Sequence, residues 1–481
     1  MGAYQPRLSM GAKSSSVILR MSVGRNDSTA SPAENGRRGR RAVEPPVSLP
    51  GSRRARDRHS AGRRYVANSM TGELVMRLRT SFIVATALAG ALLAAPVAAQ
   101  DKPPIRIGEI NSYTGPAAAF THSYRDGLNM AVEEINASGG VLGRKLEILF
   151  RDDNFSPADA VRLANELVLN QKVDLLAGTF LSPIALAVAN YAQQKKVLFV
   201  AAEALTNQLT WEKGSRYVFR VRNPMLMLTK MLVGKAEAMK CKRWAGLGPI
   251  NEAITDLFKD FRAMMTERRK DFEWVGELTV PNQKLNPGVA IDAIERMKPE
   301  CLLNGTFGPD LLAFAREGKT RGFFEKLEVV SVLSGEPEYL DPLGEDTPVG
   351  WWVTGYPPTE DQRPAHAKFV KDFEARFKAV PKFGALIGYT TIKAIAAGIT
   401  RAGSTDTEKM IDALRGVEFD TPVGKVSMRA ADHQATLGSW LGKLAIKDGK
   451  GIMTEWTWVD GKELLPTEQE GRAKRPAGAN D

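Results

Sequence analysis

The chain has 481 residues, of which 43% are hydrophobic and 25% charged, as is typical of soluble globular proteins. This length exceeds one ordinary hydrophobic core and predicts at least two compact domains. The net charge of +11 is confined to the N-terminal part: residues 1–75 carry 14 Lys or Arg and 5 Asp or Glu, and Arg77 and Arg79 add two more positive charges. Residues 101–481 are therefore formally neutral, which argues against nucleic-acid binding.

Residues 1–75 are rich in Arg, Ser, Gly and Pro and have no sustained apolar period. Such a composition buries too little surface to offset chain entropy, so we predict no fold for this segment. It is either a basic tail that contacts nucleic acid or a non-native extension that is absent from the mature protein. We favour the second interpretation because of the segment that follows.

Residues 76–99 have the parts of a secretory signal peptide. The segment begins Met-Arg-Leu-Arg, continues with an uncharged run over 81–95 and ends Pro-Val-Ala-Ala. The apolar run is too short for a comfortable membrane span, so we predict cleavage after Ala99 and a periplasmic protein. No Cys stands at the cleavage point, and we expect no lipid anchor. Translation is then expected to begin at Met76 or Met70.

Strands and helices alternate from residue 105 onward. Strands are predicted at 105–110, 145–151, 173–177 and 197–200. The helices between them begin near Phe120, at Ser156-Pro157 and at Ser182-Pro183, where Ser as the N-cap residue followed by Pro is a strong start signal. This alternation predicts a parallel sheet with helices on both faces.

The same alternation restarts after residue 220. Strands are predicted at 244–247, 273–278, 302–305, 328–333 and 351–354. Three helices follow, at 365–377, 385–402 and 407–415, and then a strand-rich segment at 443–458. The sequence therefore predicts an α/β fold with two similar lobes in series. The polar residues 466–481 are predicted to form a flexible tail.

Ligands of parallel α/β sheets bind beyond the carboxyl ends of the strands. Three loops of the first predicted sheet lie there, at 112–120, 178–183 and 201–207. The second loop brings the Ser182 hydroxyl and the free N–H groups of a helix start to one place. This combination predicts an anion site, most naturally for a carboxylate. Ser182 could instead only cap its helix, and the two roles are compatible.

A series of short motifs runs through the body of the chain: strand 105–111 with Tyr-Thr-Gly-Pro at 113–116, Asp126-Gly127, Ala-Val-Glu-Glu-Ile-Asn-Ala-Ser-Gly-Gly at 131–140, Asp152-Asp153, Leu205-Thr206-Asn207, Gly335-Glu336 and Gly388-Tyr389. In this order and spacing they resemble the leucine/isoleucine/valine-binding proteins of ABC importers. The resemblance covers residues 103–460. It implies a type I periplasmic-binding-protein fold, with two Rossmann-like lobes joined by a hinge. Lobe one would comprise 103–222 and 355–435, and lobe two 223–354 and 436–465.

The resemblance also implies ligand-binding residues in lobe one. Ser182, preceded by Leu181, falls where relatives bind the ligand carboxylate. Phe120 falls where an aromatic residue lines the ligand side chain, although it could be an ordinary core residue. Glu203 and Leu205 stand where amino-acid binders offer a backbone carbonyl and a Thr hydroxyl. Leu205 removes one polar contact, and Glu203 adds a possible negative charge or simply faces solvent.

In lobe two, Glu336 resembles the family's carboxylate that pairs with a ligand ammonium, although a solvated loop acid is equally compatible with the sequence. Phe307 falls where relatives often place a Tyr, and the customary Tyr near Ala253 is also absent. The cleft is thus expected to keep its anion site and to lose other polar contacts. This pattern predicts a small carboxylate ligand, either a hydrophobic amino acid or an aromatic or aliphatic acid.

From this resemblance we expect the extracytoplasmic solute-binding component of an ABC importer, a monomer that closes its lobes on ligand and docks on a membrane permease. The alternative is a ligand-sensing subunit for a receptor kinase or chemoreceptor. We expect no enzyme, no cofactor and no metal. The sequence has only four His residues without paired metal-ligand spacing, and the mature body lacks Gly-x-Ser-x-Gly and Gly-Lys-Ser/Thr motifs.

Cys241 and Cys301 are the only cysteines of the chain. Each lies just before a predicted strand of lobe two, the first and the third of that lobe. These strands are neighbours in the usual doubly wound order 2-1-3-4-5, about 4.8 Å apart. That separation lies within the range of a disulfide, so we predict a bond at the edge opposite the cleft. Two buried thiols slightly out of register are the alternative.

Overall fold

A computed structural model of the chain describes residues 102–479. The predicted basic extension and signal peptide lie outside the described residues. The strands are β1 Ile105–Asn111, β2 Leu146–Asp152, β3 Leu175–Gly178, β4 Phe199–Ala201, β5 Val218–Arg220, β6 Arg243–Pro249, β7 Glu273–Val280, β8 Cys301–Asn304, β9 Glu328–Gly335, β10 Trp352–Gly355, β11 Glu418–Thr421, β12 Gly424–Ser427, β13 Ser439–Lys447 and β14 Lys450–Val459. The helices are α1 Ala118–Ala137, α2 Pro157–Leu169, α3 Ser182–Lys195, α4 Met225–Ala236, α5 Glu252–Arg268, α6 Pro287–Met297, α7 Gly308–Thr320, α8 Pro337–Leu343, α9 Pro364–Phe377, α10 Phe383–Ala402, α11 Thr407–Leu414, α12 Gly461–Leu464 and α13 Glu468–Ala473.

Two separate sheets confirm the predicted two-lobed α/β fold. The first has the order β2-β1-β3-β4-β5 and is parallel throughout. The second has the order β14-β13-β10-β9-β8-β6-β7, and its five strands from β10 to β7 are parallel. Within those five, the chain order repeats that of the first sheet, which is the doubly wound pattern. We call each sheet with the helices packed on it a lobe, lobe one being built on β1–β5.

Helix α10 packs closely against α1 in lobe one. A side chain at Gly127 would come within 1.9 Å of the Ala385 carbonyl, and one at Gly388 within 2.0 Å of the Tyr124 carbonyl. Both glycines are therefore required for the close approach of the two helices. Among the described residues, α10 is the one helix long and apolar enough to cross a membrane, and 72% of its most apolar window is buried inside the protein. This burial identifies α10 as a core helix.

The chain passes between the lobes after β5, after β10 and before β13. The first and third passages are joined by hydrogen bonds: Arg220 N donates to His433 O, and Gln434 Nε2 donates to Arg222 O. The Asn223 amide also donates to the Leu437 carbonyl over 2.6 Å. The first and third passages are therefore hydrogen-bonded to each other along their length.

The described part of the C-terminal tail, which was predicted to be flexible, forms a short helix and packs on the protein. Helix α13 begins with a capping box formed by Thr467 and Glu470. Arg475 is buried, and its guanidinium donates to the Thr210, Ser215 and Asp432 carbonyls. The polar composition of this segment gave no indication that it packs on the protein, because these contacts come from the buried side chain of Arg475.

The structure joins Cys241 and Cys301 in a disulfide with a Cα–Cα distance of 6.0 Å. Cys301 is the first residue of β8, and its register partner on β6 is Trp244. Both cysteines are buried at the amino edge of the second sheet. That edge is opposite the ends of the strands from which the loops discussed next extend.

Candidate functional site

A cavity lies where the carboxyl ends of the parallel strands of the two sheets face each other. Its wall is formed by Phe180, Leu181, Ser182, Glu203, Leu205, Arg222, Met225, Asn251, Ala253, Ile254, Gly305, Phe307, Val332, Leu333 and Tyr339. The space inside this wall is about 50 Å³, enough for a few water molecules.

The structure brings five of the seven predicted site residues together on this wall, namely Leu181, Ser182, Glu203, Leu205 and Phe307. The other two lie behind it. The ring of Phe120 is buried 5.2 Å from that of Phe180, so it supports the wall as part of the core. Glu336 is buried with 2% of its surface exposed, which excludes a solvated loop acid.

Ser182 is the first residue of α3, and Leu181 is the N-cap residue. Ser182 therefore does not cap its helix, contrary to the alternative interpretation of the sequence. Its hydroxyl oxygen accepts a hydrogen bond of 3.1 Å from Thr206 N, which leaves the hydroxyl proton available to a ligand. The partial positive charge of the α3 N-terminus adds to this donor and favours an anion.

Arg222 is a wall residue that the sequence analysis missed. It lies two positions beyond β5, at the same carboxyl edge as the three predicted loops, and this position is the signal that could have found it. One of its nitrogens donates to Glu336 Oε1 over 2.5 Å, and both side chains are buried. The guanidinium carbon also lies 5.0 Å from the Phe120 ring centroid and 4.8 Å from that of Phe383. Two rings and one carboxylate thus stabilise this buried cation.

Burial raises the pKa of Glu336 to about 8, against the opposing effect of Arg222. Glu336 is the N-cap residue of the short helix α8 in lobe two, whereas Arg222 lies in the segment that follows β5 of lobe one. The pair therefore joins the two lobes beside the cavity, with Arg222 on its wall.

Glu203 is 1% exposed, and neither of its oxygens accepts a hydrogen bond from any residue in the range 102–479. Burial raises the pKa of Glu203 well above its usual range; Arg222 opposes this shift, and Glu109 adds to it. Glu109 itself is fully buried, accepts a hydrogen bond of 2.5 Å from the Tyr113 hydroxyl, and has its pKa raised to about 8 by burial. Of the two alternatives for Glu203, this burial excludes the one in which its side chain faces solvent.

Two non-glycine residues beside the cavity have left-handed backbone conformations. Thr179 has φ 71° directly after β3, and Leu333 has φ 66° near the end of β9. The Thr354 hydroxyl accepts a hydrogen bond from Leu333 N, and Ile110 O accepts one from Thr179 N. Such conformations cost of order 1–3 kcal/mol each and cluster at ligand sites.

Polar contacts between the lobes flank the cavity on two sides. On one side, the Thr206 hydroxyl and Asn207 N both donate to Asp256 of α5. On the other, Gly384 N at the start of α10 donates to Glu338 of α8 over 2.9 Å. The lobes are thus closed on each other in this structure.

Comparisons with known proteins agree with this arrangement. A family model described as periplasmic binding protein matches residues 104–450. The leucine-, isoleucine-, valine-, threonine-, and alanine-binding protein of Pseudomonas aeruginosa is 27% identical over 332 residues, 67% of this chain and 85% of that protein.

Two crystal structures of solute-binding proteins share the fold. One, from an ABC transporter of Rhodopseudomonas palustris BisB5, is in complex with 3,4-dihydroxybenzoic acid; it is 23% identical, covers 74% of this chain and 98% of its own, and has a TM-score of 0.67. A periplasmic binding protein from Burkholderia mallei is 20% identical, covers 77% of this chain and 98% of its own, and has a TM-score of 0.69.

Proposed function

This chain belongs to the periplasmic binding protein family, whose members bind substrates and are not enzymes, and we propose that it is the solute-binding component of an ABC importer. The ligand is a small carboxylate with an apolar body, held in the cavity between the lobes. The observation that carries this proposal is the contrast within the wall: the Ser182 hydroxyl and the α3 N-terminus form a donor site in an otherwise largely apolar surface.

The donor site favours a carboxylate for two reasons. The Ser182 proton is free to donate, and the helix N-terminus adds N–H groups whose dipoles favour a negative charge. Hydrogen bonds to a charged acceptor are about twice as strong as neutral ones, so this site orients the ligand as well as binding it.

The apolar side of the cavity accommodates the ligand body. Phe180 and Leu205 line it from lobe one, and Ile254, Phe307 and Val332 from lobe two. The relatives support a ligand with a carboxylate, but they do not indicate the chemistry of the rest of the ligand. The P. aeruginosa protein is named for amino acids, and the R. palustris structure contains an aromatic acid.

Import proceeds by closure of the lobes on the ligand and docking of the closed form on a membrane permease. The carboxylate binds first to lobe one, since Ser182 and the α3 N-terminus both belong to it. Lobe two then covers the apolar body. The protein functions in the periplasm after cleavage behind Ala99, so the exported protein should begin at or near Gln100.

A thermal-shift screen with matched ligands tests the proposal. At least one amino acid, aromatic acid or aliphatic acid should raise the melting temperature of the protein, because a ligand that binds only the folded state stabilises it by mass action. The corresponding primary amides, which lack the carboxylate charge, are the control and should give no shift. Calorimetry then gives the affinity of each hit. Equal shifts with acids and amides would contradict the carboxylate site.

A further inference from the structure

We propose that residues 460–479 form a strap that returns from lobe two to lobe one beside the hinge and holds the loop between β4 and β5 in place. We call residues 460–479 the strap and residues 202–217 the β4–β5 loop. Arg475 is the positioning residue of the strap. The inference rests on the proposed function in one respect, since the β4–β5 loop carries part of the cavity wall at Glu203 and Leu205.

The strap begins in lobe two. It follows β14, which is the edge strand of the second sheet. Its first helix, α12, lies against α4, and Lys230 of α4 donates a hydrogen bond of 2.7 Å to the Leu464 carbonyl. Helix α4 in turn packs on β9 and β10. The first part of the strap is therefore fixed to lobe two.

The strap ends on lobe one. The buried guanidinium of Arg475 donates to the Thr210 and Ser215 carbonyls of the β4–β5 loop, over 2.8 and 3.0 Å. It also donates to the Asp432 carbonyl over 3.0 Å, next to the third passage between the lobes. Burial lowers the pKa of Arg475 to about 10, so the side chain is charged at neutral pH. The strap is thus a fourth passage between the lobes, ended by charge-assisted hydrogen bonds.

A small apolar cluster joins the same segments. It consists of Trp211 from the β4–β5 loop, Met227 from α4 and Leu465 from the strap, and it is separate from the main core. The indole nitrogen of Trp211 also donates to Asp432 Oδ2 over 3.1 Å. The strap therefore holds the β4–β5 loop by buried apolar contact as well as by hydrogen bonds.

Buried hydrogen bonds connect the strap with the proposed carboxylate site. Arg220 is fully buried at the end of β5, and its guanidinium donates to the Thr210 hydroxyl and to the Thr206 carbonyl. Thr206 N donates to the Ser182 hydroxyl oxygen over 3.1 Å. Arg475 and Ser182 thus act on two ends of the same loop, with Arg220 between them.

The β4–β5 loop also carries contacts that hold the lobes closed. The Thr206 hydroxyl and Asn207 N donate to Asp256 of lobe two, and the Asn207 amide donates to Asp260 over 2.7 Å. Its one regular element is a single 3-10 turn, Asn207–Leu209. A segment with so little regular structure depends on its side-chain contacts for its conformation. Loss of the strap should therefore loosen the loop both at Ser182 and at the contact between the lobes.

Hydrogen exchange of the ligand-free protein tests the strap directly. In Arg475→Ala, the amides of residues 202–217 should exchange faster than in the wild type, whereas those of β1, β2 and β8 should exchange at the same rate. Arg472→Ala is the matched control, because it removes the same charge from an exposed position three residues earlier. Arg475→Lys keeps the charge and part of the donors, and should lie between the wild type and Arg475→Ala. Thermal unfolding verifies that each variant folds.

Calorimetry with L-leucine and benzoate as probes tests the effect on binding. Arg475→Ala should raise the dissociation constant of a probe that binds by about 2- to 30-fold, the usual range for coupling through a network. Arg472→Ala should leave it unchanged. The effect of Arg475→Ala should shrink in the Ser182→Ala background, because both substitutions weaken the same contact with the carboxylate.

Three results separate the strap from the proposed function. Unchanged exchange of residues 202–217 in Arg475→Ala, or equal acceleration in Arg472→Ala, would overturn the strap. Losses of affinity that add in the double variant would show that Arg475 does not act through the Ser182 contact. Failure of every carboxylate to bind the wild type would reject the proposed function, whereas the exchange result would still decide whether the strap holds the loop.

Discussion

The two walls of the cavity differ in chemistry. Lobe one and the segment that follows β5 contribute Ser182, Glu203 and Arg222 to the wall, and of these Ser182 has a hydroxyl proton that is free to donate. The wall of lobe two is mainly apolar, and the amide of Asn251 is engaged in capping α5 and in a hydrogen bond to Asn282. The free donor therefore lies in lobe one, and the apolar side chains of the wall come largely from lobe two.

In the proposed function, the polar wall binds the carboxylate of the ligand. The apolar wall encloses the body of the ligand. Each of the following substitutions affects one wall or its support, and so separates the contributions of the two lobes.

The largest expected effect is on the free energy of unfolding and comes from the disulfide Cys241–Cys301 of lobe two. Replacing both cysteines with Ala should lower the free energy of unfolding by roughly 4 kcal/mol, because the bond closes a loop of about 60 residues in the unfolded chain. Ligand affinity should stay unchanged, since the bond is at the edge of the sheet opposite the cavity. Urea unfolding and calorimetry measure the two quantities.

The wild-type protein under reducing conditions is the control for this variant and should match its stability. Mass spectrometry of alkylated, non-reduced protein should find no free thiol. Two free thiols would contradict the bond, and a large loss of ligand affinity in the double variant would show that the support and the wall are coupled.

The sequence predicted the two sheets because strand–helix alternation and Ser-Pro helix starts are local signals. Ser156 is the N-cap residue of α2 as predicted, and the predicted strands of both lobes are present within a few residues. The hairpin β11–β12 and the helices α12 and α13 were missed, since short elements with mixed polarity give no periodic signal. The docking of Arg475 was missed for the same reason.

The site was predicted in part. Ser182 and Glu203 could be placed because loops at the carboxyl ends of parallel strands meet at one edge. The pairing of Arg222 with Glu336 could not, because it joins residues 114 positions apart that belong to different lobes. The burial of Glu203 likewise depends on the closed arrangement of the lobes, which no local pattern contains.

The next effect concerns the polar wall. Ser182→Ala removes one hydrogen bond to a charged carboxylate and should weaken binding by roughly 1.5–3 kcal/mol, or about 10- to 150-fold. The loss should be equal for an amino acid and its deaminated acid, because both share the carboxylate. Ser182→Thr keeps the hydroxyl and should retain most of the affinity. Calorimetry with an amino acid and its deaminated acid measures the affinities of the wild type and both variants. An unchanged affinity in the Ala variant would refute the anion site.

The smallest expected effect concerns the apolar wall. The ring of Phe307 lies 6.4 Å from that of Phe180 across the cavity, with the ring planes at 60°. Such a pair contributes about 0.5–1.5 kcal/mol beyond its buried area, so Phe307→Leu should raise the dissociation constant about 2- to 13-fold.

This loss should be the same for an amino acid and its deaminated acid, because the ring pair acts on closure and on the ligand body, which both members of the pair share. Phe307→Tyr keeps the ring and should remain near the wild-type affinity. Calorimetry of both variants with phenylalanine, leucine and their deaminated acids measures the pattern. A loss confined to the aromatic ligands would show that Phe307 contacts the ligand body directly, and a loss confined to the amino acids would show that lobe two takes part in charge recognition.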